Sequence, residues 1–390
     1  MSITVISSLP SVLPVGNSDV VVVSSNNTAS ANFRYVCDVS GTLSSARLKC
    51  DKLPTTNNGF FGVSKVVETL IAPKIPQLTS GWQDGGYAVN VNLTFREEFG
   101  TPPTVATGGT ASASLIAWQA AFRQQDYGSY YPSGYQANTI AGNTVTVSNR
   151  PTAYSLASGE HDFIGFLIKS GSTPVAQIQY NDITGASARV FSVTGSTNIS
   201  NYFNLGPLGL YNLTAGQTSD AIDGQVDFPP AGASYTVRLI LDDGSDQKDR
   251  TVTYTITIDN CQRYNPLRVF FRNMYGGIDG YTFTRMNRQR VDVQRQTYGY
   301  NASVYGDDVY DKQWSVTYRD SYTLNSDWLT DAEFSWLQEM VYSPECWIVL
   351  NNALVPVVVQ TNTYNVRKRV VDKLQQITVD VQVGYENTAL

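Results

Sequence analysis

From Tyr87 to Phe99 the chain reads YAVNVNLTFREEF, and it alternates strictly at its centre. Val89, Val91, Leu93 and Phe95 point one way, and Asn90, Asn92, Thr94 and Arg96 point the other. A period of two places successive side chains on opposite faces, so this stretch fits a half-buried strand and no helix. The same period recurs in Phe33, Tyr35, Cys37 and Val39, which lead through Ser40-Gly41-Thr42 to a return run, Ala46–Cys50. It recurs near the end of the chain in Ile377, Val379, Val381 and Val383. Between them lie short runs, Thr139–Val147, His161–Lys169, Val175–Tyr180, Arg189–Thr194, Thr236–Leu241 and Val252–Ile258, with Gly, Asn, Asp and Ser filling the intervals. That is the rhythm of a sandwich. Composition agrees: 24 Tyr stand against 15 Phe, and charged residues make up only 15%, below the usual quarter. The expected fold is mainly β, with several antiparallel sandwich-like or barrel-like modules and a C-terminal α+β domain carrying one short helix.

A chain of 390 residues divides into two to four domains. The expected units are an N-terminal β domain (1–100), an irregular Tyr-rich connection (101–137), a sandwich-like domain (138–260) and the α+β domain (261–390). Three helical stretches are expected. Val63–Leu70 carries Val63, Val66, Val67 and Leu70 on one face. Leu115–Phe122 fits one or two turns. Near the C-terminus, Thr330 and Glu333 form a T-x-x-E capping box, Phe334, Leu337, Met340 and Val341 share a face, and Ser343-Pro344 stops the helix. The insert 201–225 is expected to cross between sheets.

No catalytic constellation emerges. The single histidine, His161, opens an apolar strand, and there is no H-E-x-x-H, P-loop or G-x-S-x-G pattern. Glu97-Glu98 are adjacent on a strand, which sends their side chains to opposite faces. Asp242, Asp243 and Asp246 read as a solvated turn, since they lack the spacing of a calcium loop. Cys37, Cys50, Cys261 and Cys346 form no C-x-x-C, so no zinc site is expected, and Cys37 and Cys50 are read as thiols rather than a disulfide. No cofactor and no small-molecule substrate is called for. A net charge of −6 argues against a general nucleic-acid binder. MSITVISSLPSV lacks a basic leader region and Val20–Val23 is too short to span a bilayer, so the expectation is synthesis in a cytoplasm and use there or in a particle.

Two features point to contacts between chains. The first is the Tyr-rich run Tyr127, Tyr130, Tyr131 and Tyr135, set among Gly, Ser and Pro, which suits an adhesive loop; stacking on a sugar is the alternative. The second is a set of arginines: Arg263, Arg268, Arg272, Arg285, Arg288, Arg290 and Arg295, with Arg367-Lys368-Arg369 further on. Asp307, Asp308 and Asp311 are candidate acceptors on a neighbour. Ordinary exposed strand faces are the plainer reading of the same arginines. At the head of this region, Leu267–Phe271 runs into Arg272-Asn273. Gly276, Gly277 and Asp279 form the turn, and Tyr281-Thr282-Phe283 leads back. Both glycines are expected at positive φ.

The stretch CQRYNPLRVFFRNMYGGIDGYTF resembles a block found in virion proteins of tailed phages, especially those of Bacteroidetes hosts. NFRYVCDV followed by ARLKC is similar to the opening of those proteins, and LTFREEFGTPPTV to their "F-x-E-E-hydrophobic-G-x-x-P". The closing helix with SPECWIVLNNALVPVVVQ is similar to their last strands. The blocks occur in the same order, while residues 100 to 250 match weakly. Arg272 departs from the pattern, which more often has an apolar residue there. The resemblance implies a structural virion protein of the tail or baseplate, made in the host cytoplasm, whose partners are its own copies and other virion proteins. A head or neck protein is one alternative, and a receptor-binding module for a host-surface glycan is the other.

Overall fold

The computed structural model describes residues 3–123, 136–137, 147–168, 173–181, 188–195, 198–213, 232–242, 247–249, 253–261, 264–301, 309–360, 367–369 and 374–389, apart from 18, 42 and 43. The fold is mainly β and mostly antiparallel. The alternating run forms the strand Ala88–Phe99, with Val91, Leu93 and Phe95 fully buried. It sits in the middle of a six-stranded sheet, between Arg34–Ser40 and Ala111–Trp118. A three-stranded sheet of Ile3–Ser7, Val20–Ser25 and Gly59–Gly62 shares its core, and the short helix Ser64–Glu68 adds Val67 to it.

Leu115–Phe122 does not form helical turns. The strand Ala111–Trp118 pairs along its whole length with Ala88–Phe99. Leu115 and Ala117 enter the first core, whereas Trp118 and Ala120 enter another cluster. A strand covered on both faces loses its alternation, so a short apolar run of this kind is ambiguous in sequence. The first sheet therefore continues past residue 100. In the other direction, Trp82–Asp84 leaves it to pair with Ser200–Asn204.

That pairing belongs to a four-stranded sheet of Gln136–Ala137, Phe163–Ile168, Ser200–Asn204 and Trp82–Asp84. The insert expected to cross between sheets thus contributes a strand, buried at all five positions, and then the helix Pro207–Tyr211. A six-stranded sheet, running Ala153–Leu156, Tyr254–Ile258, Ser234–Asp242, Thr173–Asn181 and Ala188–Thr194, faces it across a common core, and Gln247–Asp249 joins its third strand. The strand expected at Thr139–Val147 lies outside the described residues except for Val147.

The C-terminal region is an eight-stranded sheet with the helix Asp331–Tyr342 packed on it. The capping box is present: Thr330 Oγ1 accepts from Glu333 N, and Glu333 Oε2 accepts from Thr330 N at 2.8 Å. Phe334, Leu337 and Met340 reach the core. A further cluster joins the three regions: Tyr87 and Trp118 from the first, Phe163 and Tyr202 from the second, Phe270 and Trp347 from the third. Among the described residues no helix is long and apolar enough to cross a membrane.

Candidate functional site

The hairpin Leu267–Arg272 and Ile278–Phe283 forms in the register Leu267↔Phe283 to Arg272↔Ile278. Its tip is buried against the rest of the molecule. Asn273 Oδ1 accepts from the amides of Tyr275 and Gly277, both at 3.0 Å, and its Nδ2 donates to Val147 O at 2.8 Å. Gly276 has φ +76, and a Cβ there would lie 1.8 Å from Gln119 O. Gly277 is not in the left-handed region. Its constraint is closeness, since a Cβ would meet Val147 O at 2.4 Å. The expectation of positive φ at both glycines thus holds for Gly276 alone.

Asp279 is fully buried. Its Oδ2 accepts from Ser148 Oγ, Asn273 Nδ2 and Trp336 Nε1 at 2.9, 3.0 and 2.9 Å, and its Oδ1 has no partner. Burial raises its pKa above the usual carboxylate range, against Arg150 and these donors. Nearby, Glu339 accepts from Asn149 Nδ2 at 2.6 Å and Met274 N at 3.1 Å. Burial pushes its carboxyl up to about 7.

The arginines separate into two populations. Arg268 and Arg272 are buried inside the chain, and this corrects their reading as contacts for another subunit. Arg268 donates to Asp162 Oδ1 at 2.6 Å and to Thr282 Oγ1 at 2.7 Å. Asp162 also accepts from Arg150 at 2.8 Å and from Tyr154 Oη at 2.8 Å. The result is a buried Arg150–Asp162–Arg268 triad that bridges the middle sheets and the C-terminal sheet. Burial opposes the charge on Arg150, yet Asp162 holds it, and its pKa is raised. Arg272 donates to Glu345 at 2.7 Å and to Gly276 O at 3.0 Å, which satisfies its charge at the buried hairpin tip.

Arg285, Arg288, Arg290 and Arg295 are exposed. Arg285 donates to Asp327 at 3.0 Å, and Arg290 pairs with Asp292 at 2.9 Å. Arg288, Arg290 and Arg295 lie on a ribbon of two long strands, Arg288–Asn301 and Val309–Asn325. At about 3.4 Å per residue, the 14-residue first strand is about 45 Å long. Among the described residues it is also the edge of its sheet, with no strand paired on its outer side. One face of the ribbon is polar, with Arg290, Asp292 and Ser321. The other carries Val291 and Val293 opposite Asp320 and Tyr318, with Val316 opposite Arg295. Val291 and Val293 are 48% and 38% exposed. The register slips between Gln296 and Thr297, leaving Trp314 as the extra residue of a bulge, 66% exposed.

Tyr127, Tyr130, Tyr131, Tyr135, Arg263, Asp307 and Asp308 lie outside the described residues. Asp311 stands opposite Gly299 on the ribbon. His161 is buried, with Nδ1 2.7 Å from Asn204 Nδ2, and burial followed by Arg268 lowers its pKa to about 4. Glu97 and Glu98 diverge, the first accepting from Ser25 Oγ at 2.6 Å and the second from Lys49 Nζ at 2.7 Å. All four cysteines are free, with Cys37 buried and Cys50 half-buried. Among the described residues no group of His, Cys, Asp or Glu is placed to hold a metal ion. The sequence reading missed Arg150, Asp162 and Glu339, for which no local pattern exists. It also missed the ribbon's apolar face, which the V-D-V alternation at 291–293 does signal. Compared with known proteins, the chain matches no family model and no curated protein.

Proposed function

We propose that this chain is a non-enzymatic structural subunit of a tailed-phage virion, of the tail or baseplate, that acts by assembling with its own copies and other virion proteins. The observation that carries assembly is the ribbon, a long open edge strand with an uncovered apolar face. Open edges of this length offer backbone groups for pairing, and the charged residues Arg288, Arg290 and Arg295 on this one restrict which chain can take them. A two-stranded ribbon is marginal in water by itself, and exposed Val and Trp beside Arg make a rim-and-core pattern suited to a protein interface. The ordered sequence resemblance supplies the virion setting.

The test replaces Val291 and Val293 together by Lys. Surface changes of this kind leave folding stability nearly unaltered, so thermal melting stays unchanged. Light scattering of the concentrated full chain is expected to fall from an oligomer to a monomer. In a cryo-EM map of the particle the ribbon is expected to be buried against a neighbouring subunit. A wild-type chain whose ribbon is solvent-exposed in the particle overturns the proposal, as does hydrolysis of a host-surface polymer that His161→Asn abolishes.

A further inference from the structure

A cleft of about 590 Å³ lies between the middle sheets and the C-terminal region, and no residue of the ribbon lines it. This is within the range of small-ligand sites, which favour boundaries between domains. One wall is the edge strand Ala153–Leu156 with its neighbour Tyr254–Ile258. The other is the edge strand Ile278–Phe283 with the segment at Trp328. Thr255 and Thr257 line the first wall and Thr284 the second, where Thr282 Oγ1 accepts from Arg268 and donates to Glu160, both at 2.7 Å. Trp328 lines the cleft while 39% exposed, and Tyr281 lines it half-buried. Deeper in, Arg150 and Arg268 line the cleft with side chains 1% and 5% exposed, and the Nε of each has no partner.

The charge balance selects among ligands. Asp162 and Glu160 together neutralise the two arginines, and Asp259, Asp327 and Glu333 add further carboxylates to the lining. Phosphate or sulfate groups would meet net negative charge there. An apolar ligand would leave hydroxyls and guanidinium groups unsatisfied. A neutral polyhydroxylated ligand satisfies both walls: its hydroxyls donate to carboxylates and accept from threonines and arginines, and its C–H face lies on Trp328 or Tyr281. An aromatic body with a polar surround is what such a face requires.

We infer that this cleft binds a neutral oligosaccharide, held between Trp328 and the threonine rows. The site is independent of the assembly ribbon, so the two readings stand or fall separately.

The test titrates the purified full chain with cellotriose, maltotriose, mannotriose and chitotriose, following tryptophan fluorescence and heat. Saturable binding of at least one is expected. Trp328→Ala is expected to weaken it about tenfold or more, as loss of a stacking ring does. The paired change Thr255→Val and Thr257→Val keeps the side-chain shape and is expected to weaken binding with unchanged melting. Trp314→Ala, on the ribbon, is expected to leave binding intact. The inference is overturned if none of the four binds up to about 10 mM, a concentration above the weakest useful affinities. It is also overturned if Trp328→Ala and the threonine variant both bind like wild type, or if the cleft takes only sulfated sugars or an extended peptide.

Discussion

At Gly276 two independent constraints meet at one atom. The residue is held at φ +76, and a Cβ would stand 1.8 Å from Gln119 O, a backbone atom that cannot swing aside. Gly276→Ala is therefore expected to cost at least about 2 kcal/mol in urea unfolding. A loss below about 1 kcal/mol would mean that the tip does not seat on the first region. Glu339 tests the same place by charge. Its folded pKa, about 7, lies above its ordinary 4.5. Its stabilising contribution is therefore full below about 4.5 and is lost as pH rises through 7. Glu339→Gln is expected to raise stability at pH 8 and flatten the profile between pH 5 and 8, by on the order of 3 kcal/mol or less. His161 acts with the opposite sign, because its folded pKa of about 4 lies below 6.5. Its contribution is present above 6.5 and lost as pH falls through 4. His161→Asn is expected to flatten only the acid side, so melting curves of the two variants separate the groups.

Elements with local signatures were legible in the sequence. The helix Asp331–Tyr342 is fixed by its capping box and apolar stripe, and Thr330→Ala is expected to cost about 1 kcal/mol, read as a lowered midpoint in urea. The strand Ala88–Phe99 follows from alternation, and the hairpin at 267–283 from its glycines. Ala111–Trp118 was misread because it is covered on both faces. The fate of the arginines was not legible for a different reason. Arg268 meets Asp162 across 106 positions of the chain, and Arg272 meets Glu345 across 73. Spacing between nearby residues carries no trace of such partners. The same holds for the cleft, whose walls are two edge strands that only the assembled sheets bring together. By contrast, the ribbon's apolar face is written in consecutive residues and needed only its solvent exposure to be noticed.

At the scale of the whole molecule, the question is what holds three sheet systems as one body. Besides the strand Trp82–Asp84 shared with the middle sheet and the seated hairpin tip, two side-chain devices join them. The apolar cluster around Trp118, Phe163, Tyr202 and Phe270 draws on all three regions. Beside it, the triad fixes how the C-terminal sheet sits on the middle sheets. An apolar cluster tolerates sliding, whereas Asp162 accepts Arg150 on one oxygen and Arg268 on the other, which sets a single register. Buried ion pairs of this kind add little net stability, but without Arg268 the two carboxylates Asp162 and Glu160 face Arg150 alone, and one of them is left undercompensated. Arg268→Met keeps most of the side-chain volume and removes only the charge and its donors. It is expected to cost about 3 kcal/mol or more and to loosen the C-terminal sheet from its support. Calorimetry reads this directly: the wild type is expected to unfold in one transition, and the variant in two, with a calorimetric enthalpy exceeding the van't Hoff value. A single transition in the variant with a loss below about 1 kcal/mol would assign the union of the sheets to the apolar cluster and the backbone contacts, without the triad. The ribbon would then project from a body whose parts are held without a fixed electrostatic register.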